Sequence, residues 1–145
     1  EPDMLAGIFG GGGLKPMATY FAERAKGHVG IIVTGGIAPN GEGRVAPMAA
    51  KMSKSSEAKA HKEVTDAVHN VGSGSKICMQ ILHAGRYAYH PYAVSASPIQ
   101  APIGPFKPKE LSGADVMRTV EDYAVCAALA REAGYDGVEV MGSEG

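Results

Sequence analysis

The segment Lys76-Ile77-Cys78-Met79-Gln80-Ile81-Leu82 narrows the possible folds more than any other stretch of this chain. It reads as a short strand that is apolar on both faces except at Gln80. A strand buried on both sides belongs to a parallel sheet with helices packed outside it. Its surroundings agree, because helical and strand patterns alternate along the sequence. Pro16 suits a first helical turn, Met17, Tyr20, Phe21 and Arg24 follow at helical spacing, and Gly27 can end that helix. Gly30 to Thr34 is a β-branched strand, with Gly35-Gly36 and Pro39-Asn40-Gly41 as the turn residues that close it. A second helix is expected over residues 56–71, with Val64, Ala67, Val68 and Val71 as its stripe and Gly72 and Gly74 as stops.

After the central strand comes a long segment from Ala84 to Leu111. Pro91, Pro98, Pro102, Pro105 and Pro108 argue against a helix or central strand there. Ser112 and Asp115 form a candidate capping box for a third helix, with Val116, Val120, Tyr123, Ala127 and Ala130 as its apolar stripe and Gly134 as its stop. Val138 to Met141 reads as the last strand. The order helix, strand, helix, strand, helix, strand predicts right-handed βαβ units around a parallel sheet. Pattern alone does not separate a closed barrel from an open sheet. The long or glycine-rich loops after each strand favour the barrel, whose sites lie at that end.

The chain has 145 residues, 45% hydrophobic and 20% charged, with a formal net charge of -1. That suits one globular domain, and no basic stripe points to nucleic acid or an anionic membrane. Cys78 and Cys126 are too few and too far apart for a disulfide framework or zinc set, which favours a reducing, cytoplasmic setting. No apolar run is long enough to span a bilayer, and no signal peptide is visible. Residues 1–15 read as a flexible glycine-rich loop. They lack a preceding strand and a Lys-Ser/Thr pair, so they are not a phosphate loop. His61 and His69 lie two helical turns apart, too far for the usual metal pair. Cys126 falls inside a helix and reads as a small core residue.

A few positions near strand ends carry the chemical signal. Gln80 places a carboxamide inside an oily strand, and leaving it buried without partners costs roughly 1–3 kcal/mol. Its donor and acceptor match the edge of a flavin pyrimidine ring; neighbouring backbone is the alternative partner. His83 can donate a proton or bind an anion, and Arg86 can hold a phosphate or carboxylate. Both can instead form a polar network that pins the long loop. At Gly35-Gly36 the missing Cβ lets a flat ring approach, or simply makes a tight turn. Glu144 is an acid, base or orienting group, or a solvated loop charge. Tyr87, Tyr89 and Tyr92 either line a channel or anchor the long loop.

Four runs occur in order: Phe21 to Ala25, Ile32 to Pro39, Gln80 to Tyr87, and Ala133 to Gly145. Together they resemble the flavin barrel of the old yellow enzyme superfamily, in its 2,4-dienoyl-CoA reductase branch. The resemblance runs from about Pro16 to the last residue. It implies a (β/α)₈ TIM barrel with FMN at the C-terminal mouth. By position, Gly36 matches the small residue against the flavin and Gln80 the amide on its pyrimidine edge. His83, Arg86, Met141 and Glu144 match the rim of the substrate site. Many relatives hold a substrate carbonyl with two His, or His and Asn, where Met141 and Glu144 stand here. That departure suits the dienoyl-CoA branch, whose tyrosine acid is expected just after Gly145.

The resemblance further implies an unsaturated acyl-CoA substrate and a place in fatty acid β-oxidation. Hydride would pass from NADPH through FAD and an iron–sulfur (4Fe–4S) cluster to FMN, with a tyrosine–histidine pair supplying the proton. Residues 16–145 are then expected to be about three βα units of a barrel truncated at both ends. The first strand, the last four strands, the FMN phosphate site and the cluster cysteines would lie outside them. A flavin amine dehydrogenase or enone reductase of related build is one alternative. A non-catalytic fragment is another.

Overall fold

The computed structural model describes residues 14–144. The glycine-rich residues 1–13 and Gly145 lie outside the described residues. In chain order the elements are α1 (Lys15–Lys26), β1 (Ile31–Ile37), α2 (Ser55–His69), β2 (Lys76–Ile81), a 3₁₀ turn (Gly85–Tyr87), β3 (Val94–Ser95), β4 (Lys109–Glu110), α3 (Gly113–Glu132) and β5 (Gly137–Val140). Strands β1, β2 and β5 form one parallel sheet in that order, with α2 and α3 as the crossovers. Each successive parallel strand is laid beside the last, which is how a βα barrel grows.

Local signals explain where the helices begin and end. Pro16 sits in the first turn of α1, and Gly27 caps it through its N–H to the carbonyls of Arg24 and Ala25. Glu57 guards the start of α2 by accepting from the Ser53 N–H at 2.8 Å and pairing with Lys51. Helix α3 opens with the full capping box: Ser112 Oγ accepts from the Asp115 N–H, and Asp115 accepts from the Ser112 N–H at 3.1 Å. Gly134 follows α3 with φ +91°, a conformation open to glycine, and a Cβ there would lie 2.8 Å from Thr65 Oγ1.

The core lies between the helices and one face of the sheet. Ile32, Ile37, Ile77, Met79 and Ile81 face Met17, Phe21, Val64, Val68, Cys126 and Leu129 in one buried cluster. Cys126 is fully buried as a small core residue, and burial pushes its thiol up to about 12. His61 is buried in the same layer, its Nδ1 2.8 Å from the Tyr135 hydroxyl. Asp136 ties α2 to β2: it accepts from His69 at 2.8 Å, from the Ile77 N–H at 2.9 Å and from Lys76 at 3.1 Å. Burial pushes its carboxyl up, but these three donors outweigh that and hold it at about 2.

Four expectations need correction. Gly35 and Gly36 do not end the first strand; β1 continues through them to Ile37. Strand β2 is covered on one face only. Cys78 and Gln80 are half-buried and Lys76 is exposed, because the sheet's inner face has no facing strands among the described residues. On that face Ile31 is 65% exposed and Val33 44%. The expected α3 stripe holds only near its C-terminal end. Val116 and Val120 are exposed, and the buried side is Cys126, Leu129 and Ala130. The N-terminal half of the helix instead meets loops: Asp122 accepts from Asn40, and Val116 and Thr119 line a cavity with His83 and Leu111. Finally, α1 starts at Lys15, one residue inside the segment expected to be a loop.

The proline-rich segment forms neither a helix nor a central strand. It holds the 3₁₀ turn and the two-residue strands β3 and β4, paired in parallel with each other. Its anchors are His90, Val94 and the alanines Ala84, Ala88, Ala93 and Ala101, all buried, whereas Tyr87, Tyr89 and Tyr92 are exposed. The segment is laced to the loop after β1. Ala84 N–H donates to Gly43 O at 2.9 Å, Tyr89 N–H to Val45 O at 2.7 Å, and His90 Nε2 lies 2.8 Å from Arg44 O.

Candidate active site

Three positions are registered side by side across the inner face of the sheet. Gly36 on β1 opposes Gln80 on β2, which opposes Glu139 on β5. Registered residues of parallel strands point the same way, with strands about 4.8 Å apart. Gln80 is half-buried rather than fully buried, and among the described residues its carboxamide has no hydrogen-bond partner. Glu139 Oε2 is buried beside it, also without a donor among the described residues. Glu139 Oε2 is thus a buried acceptor without a donor on the inner face, and the Gln80 carboxamide stands open beside it.

Gly36 needs its missing Cβ for a reason the sequence did not show. A Cβ there would lie 2.7 Å from Leu82 Cβ and Cδ1. Leu82 therefore uses the space, in a small apolar cluster with Ala84, Ala88, Ala93, Val45 and Met141. Met141 packs in this cluster, and its N–H extends the sheet to Ile81 O at 3.0 Å.

His83 sits just past the end of β2 and is 6% exposed. Its Nδ1 accepts from the Gly85 N–H at 3.1 Å, so the neutral ring carries its proton on Nε2. That Nε2 is buried with no acceptor among the described residues. Burial lowers the imidazole pKa, with Glu42 and Asp122 opposing. Gly43 lies against the ring: a Cβ there would come within 2.6 Å of His83 Cδ2. His83 is held between two loops and lines a cavity of about 190 Å³ together with Gly85, Val94, Leu111 and Thr119.

Arg86 and Glu144, far apart in sequence, meet at a second cavity. Its volume is about 300 Å³, and Ser95, Ala96, Ser97 and Ile99 of the long loop complete it. Arg86 donates to the Tyr87 hydroxyl at 3.3 Å, and its guanidinium lies 5.2 Å from the Tyr87 ring centroid. Glu144 accepts from Ser143 Oγ. The two cavities share Ser95 and Ala96 as a wall. The structure thus gathers Gly36 and Gln80 on the sheet and Arg86 and Glu144 at the rim, with His83 lining the adjoining cavity and Met141 packed against the Leu82 cluster.

Two residues with roles here were not singled out from the sequence. Asn40 donates to Asp122 on α3 at 2.7 Å and accepts from the Gly43 N–H at 2.8 Å, which fixes the loop after β1. Its signal was present in Pro39-Asn40-Gly41, but only as a turn. Thr34 accepts from the Gln80 N–H at 3.0 Å and donates to Gly35 O at 2.8 Å. Among the described residues no three His, Cys, Asp or Glu side chains are grouped to hold a metal, and no helix is long and apolar enough to cross a membrane.

Comparison with known proteins gives this geometry its context. Residues 10–145 match the model of the NADH:flavin oxidoreductase / NADH oxidase family. A metal reductase of Desulforamulus reducens is 32% identical over 130 residues, covering 87% of this chain and 19% of that protein. An NADPH dehydrogenase of Bacillus subtilis is 30% identical over 132 residues, covering 87% of this chain and 37% of that protein. The structure superposes on an old yellow enzyme homologue from Zymomonas mobilis with a TM-score of 0.76 and 29% identity, over 86% of this chain and 38% of that one. The chain therefore spans two-fifths or less of the relatives it matches, and its parallel sheet is part of a TIM barrel rather than of an open sheet. By sequence and by fold alike, this chain belongs to the NADH:flavin oxidoreductase / NADH oxidase family.

Proposed function

We propose that this chain forms the FMN-contacting part of an NAD(P)H-dependent ene-reductase acting on 2,4-dienoyl-CoA thioesters. One observation carries the reading: the Gln80 carboxamide stands on the inner sheet face with no partner among the described residues. Its carbonyl accepts and its NH₂ donates, which complements the mixed edge of a flavin pyrimidine ring. Gly36 lies across from Gln80 in the register, so its backbone and Gln80 would hold the ring together. Bound FMN supplies the hydride chemistry.

The rim residues bear on substrate class. Arg86 offers a planar fork of donors suited to the thioester oxygen or phosphates of an acyl-CoA, at the cavity it shares with Glu144. Met141 and Glu144 stand where the resembling enone reductases carry carbonyl-holding His or Asn. A thioether has no donor and a carboxylate only accepts, so neither can replace those residues. This supports the dienoyl-CoA reading, with FAD, the 4Fe–4S cluster, NADPH and the proton-donating tyrosine supplied by other segments. A second reading, an enone reductase, is favoured by the 30% identity to an NADPH dehydrogenase. Assaying the complete enzyme on a dienoyl-CoA and on a cyclic enone separates the two.

Gln80→Ala tests the flavin contact. In the complete barrel it is expected to weaken FMN about 10- to 100-fold, the scale of two net hydrogen bonds. Fluorescence titration of released flavin measures it. Unchanged affinity and unchanged flavin reduction would refute the assignment. Residues 1–145 expressed alone are expected to bind little or no yellow cofactor, because most of the barrel mouth is contributed from elsewhere.

A further inference from the structure

We propose that Thr34 is the positioning residue that presents Gln80 and Gly36 to the flavin; the inference rests on the flavin reading of Gln80. Between the pairs Val33–Cys78 and Gly36–Gln80, β1 places two residues, Thr34 and Gly35, against one on β2, Met79. This is a two-against-one bulge. Side chains alternate along a strand, so a regular β1 would turn Gly36 to the helix-covered face. The extra residue brings it back to the inner face, opposite Gln80.

The bulge also brings a side chain to the Gln80 amide. On the β1 side of β2, Lys76 N–H reaches Gly30 O at 2.9 Å and Leu82 N–H reaches Ile37 O at 3.0 Å. Gln80 N–H, between them on the same side, donates to the side chain Thr34 Oγ1 at 3.0 Å. The same hydroxyl gives its proton to Gly35 O, inside the bulge, at 2.8 Å. One side-chain oxygen therefore serves the amide of the flavin-binding residue and the carbonyl beside the close-approach glycine. Thr34 is 4% exposed, so water is poorly placed to do the same. Valine has the shape of threonine without the hydroxyl, and serine has the hydroxyl without the methyl.

The holoenzyme is compared as wild type, Thr34→Val and Thr34→Ser, with Gln80→Ala as reference. Thr34→Val is expected to weaken FMN about tenfold, the scale of one hydrogen bond, and to shift the absorption band and reduction potential of the bound flavin. Thr34→Ser is expected to restore all three. Amide exchange reads the contact without cofactor: Gln80 N–H should exchange as slowly as its ladder neighbour Leu82 in wild type, and faster in Thr34→Val. If Thr34→Val keeps wild-type flavin affinity, band and potential while Gln80→Ala loses flavin, the inference is wrong and the Gln80 reading stands. If Gln80→Ala also changes nothing, the flavin reading itself fails. Should Thr34→Val not fold, the wild-type exchange and Thr34→Ser decide. A fast Gln80 amide, or a serine variant with altered flavin, overturns the proposal; a slow amide with wild-type flavin in the serine variant supports it.

Discussion

Met79→Ala is expected to lower the free energy of unfolding by about 2–5 kcal/mol, the range for emptying a fully buried large side chain. Met79 has no exposed surface and lies on the outer face of the central strand, between Ile77 and Ile81, in the cluster that joins the sheet to α2 and α3. Val33→Ala, one strand away on the opposite face, is expected to cost no more than about 0.5–1 kcal/mol in residues 1–145, because Val33 is 44% exposed there. In a complete barrel the same change should cost roughly 1–3 kcal/mol, since facing strands would then bury it. Urea unfolding of both variants, in the short and the complete chain, measures the contrast. Equal costs for the two variants in the short chain would show that the inner face is already covered, against the structure.

Acid is expected to remove roughly 2–3 kcal/mol of stability between pH 7.5 and 4.5, through one histidine. His61 is buried against Tyr135, and burial lowers its pKa to about 4. The folded value lies below the unfolded one, so the unfolded chain takes up the proton first as pH falls. The stability is fully present above about pH 6.5, drains away down to about pH 4, and changes no further below that. His61→Gln should flatten this window in urea titrations run at the two pH values. A wild-type curve flat from pH 7.5 to 4.5 would show that the buried imidazole charges as easily as a free one. Asp136, held at about 2, acts in a separate window. Its contribution is present above about pH 4 and lost as pH falls toward 2, so the two groups can be told apart.

Much of the outer layer was legible in advance. The Ser112–Asp115 capping box, the stop at Gly134, the buried Cys126 and the alternation of helices with parallel strands all depend on residues near one another in sequence. Such signals survive because each is settled within a turn or two of chain. The α3 stripe shows where this ends. Val116 and Val120 have helical spacing but are exposed, because which distant segments pack against a helix face is something no local pattern records. The long loop made a similar point. Its prolines excluded a helix or central strand, yet its buried anchors are His90, Val94 and several alanines, which carry no periodic mark.

The candidate site divides in the same way. Gln80 stood out from sequence because a carboxamide in an oily strand must be satisfied somewhere, and that requirement is chemical and local. Gly36 announced only that space was needed. That Leu82 takes the space, and that a bulge held by Thr34 turns Gly36 toward Gln80, came from the pairing of β1 with β2. Residue types and their spacing thus determined the main helices and sheet strands and their order, and singled out Gln80. Only the tertiary structure decided which face each strand presents and which distant side chains meet, because register and packing depend on contacts between segments far apart in the chain.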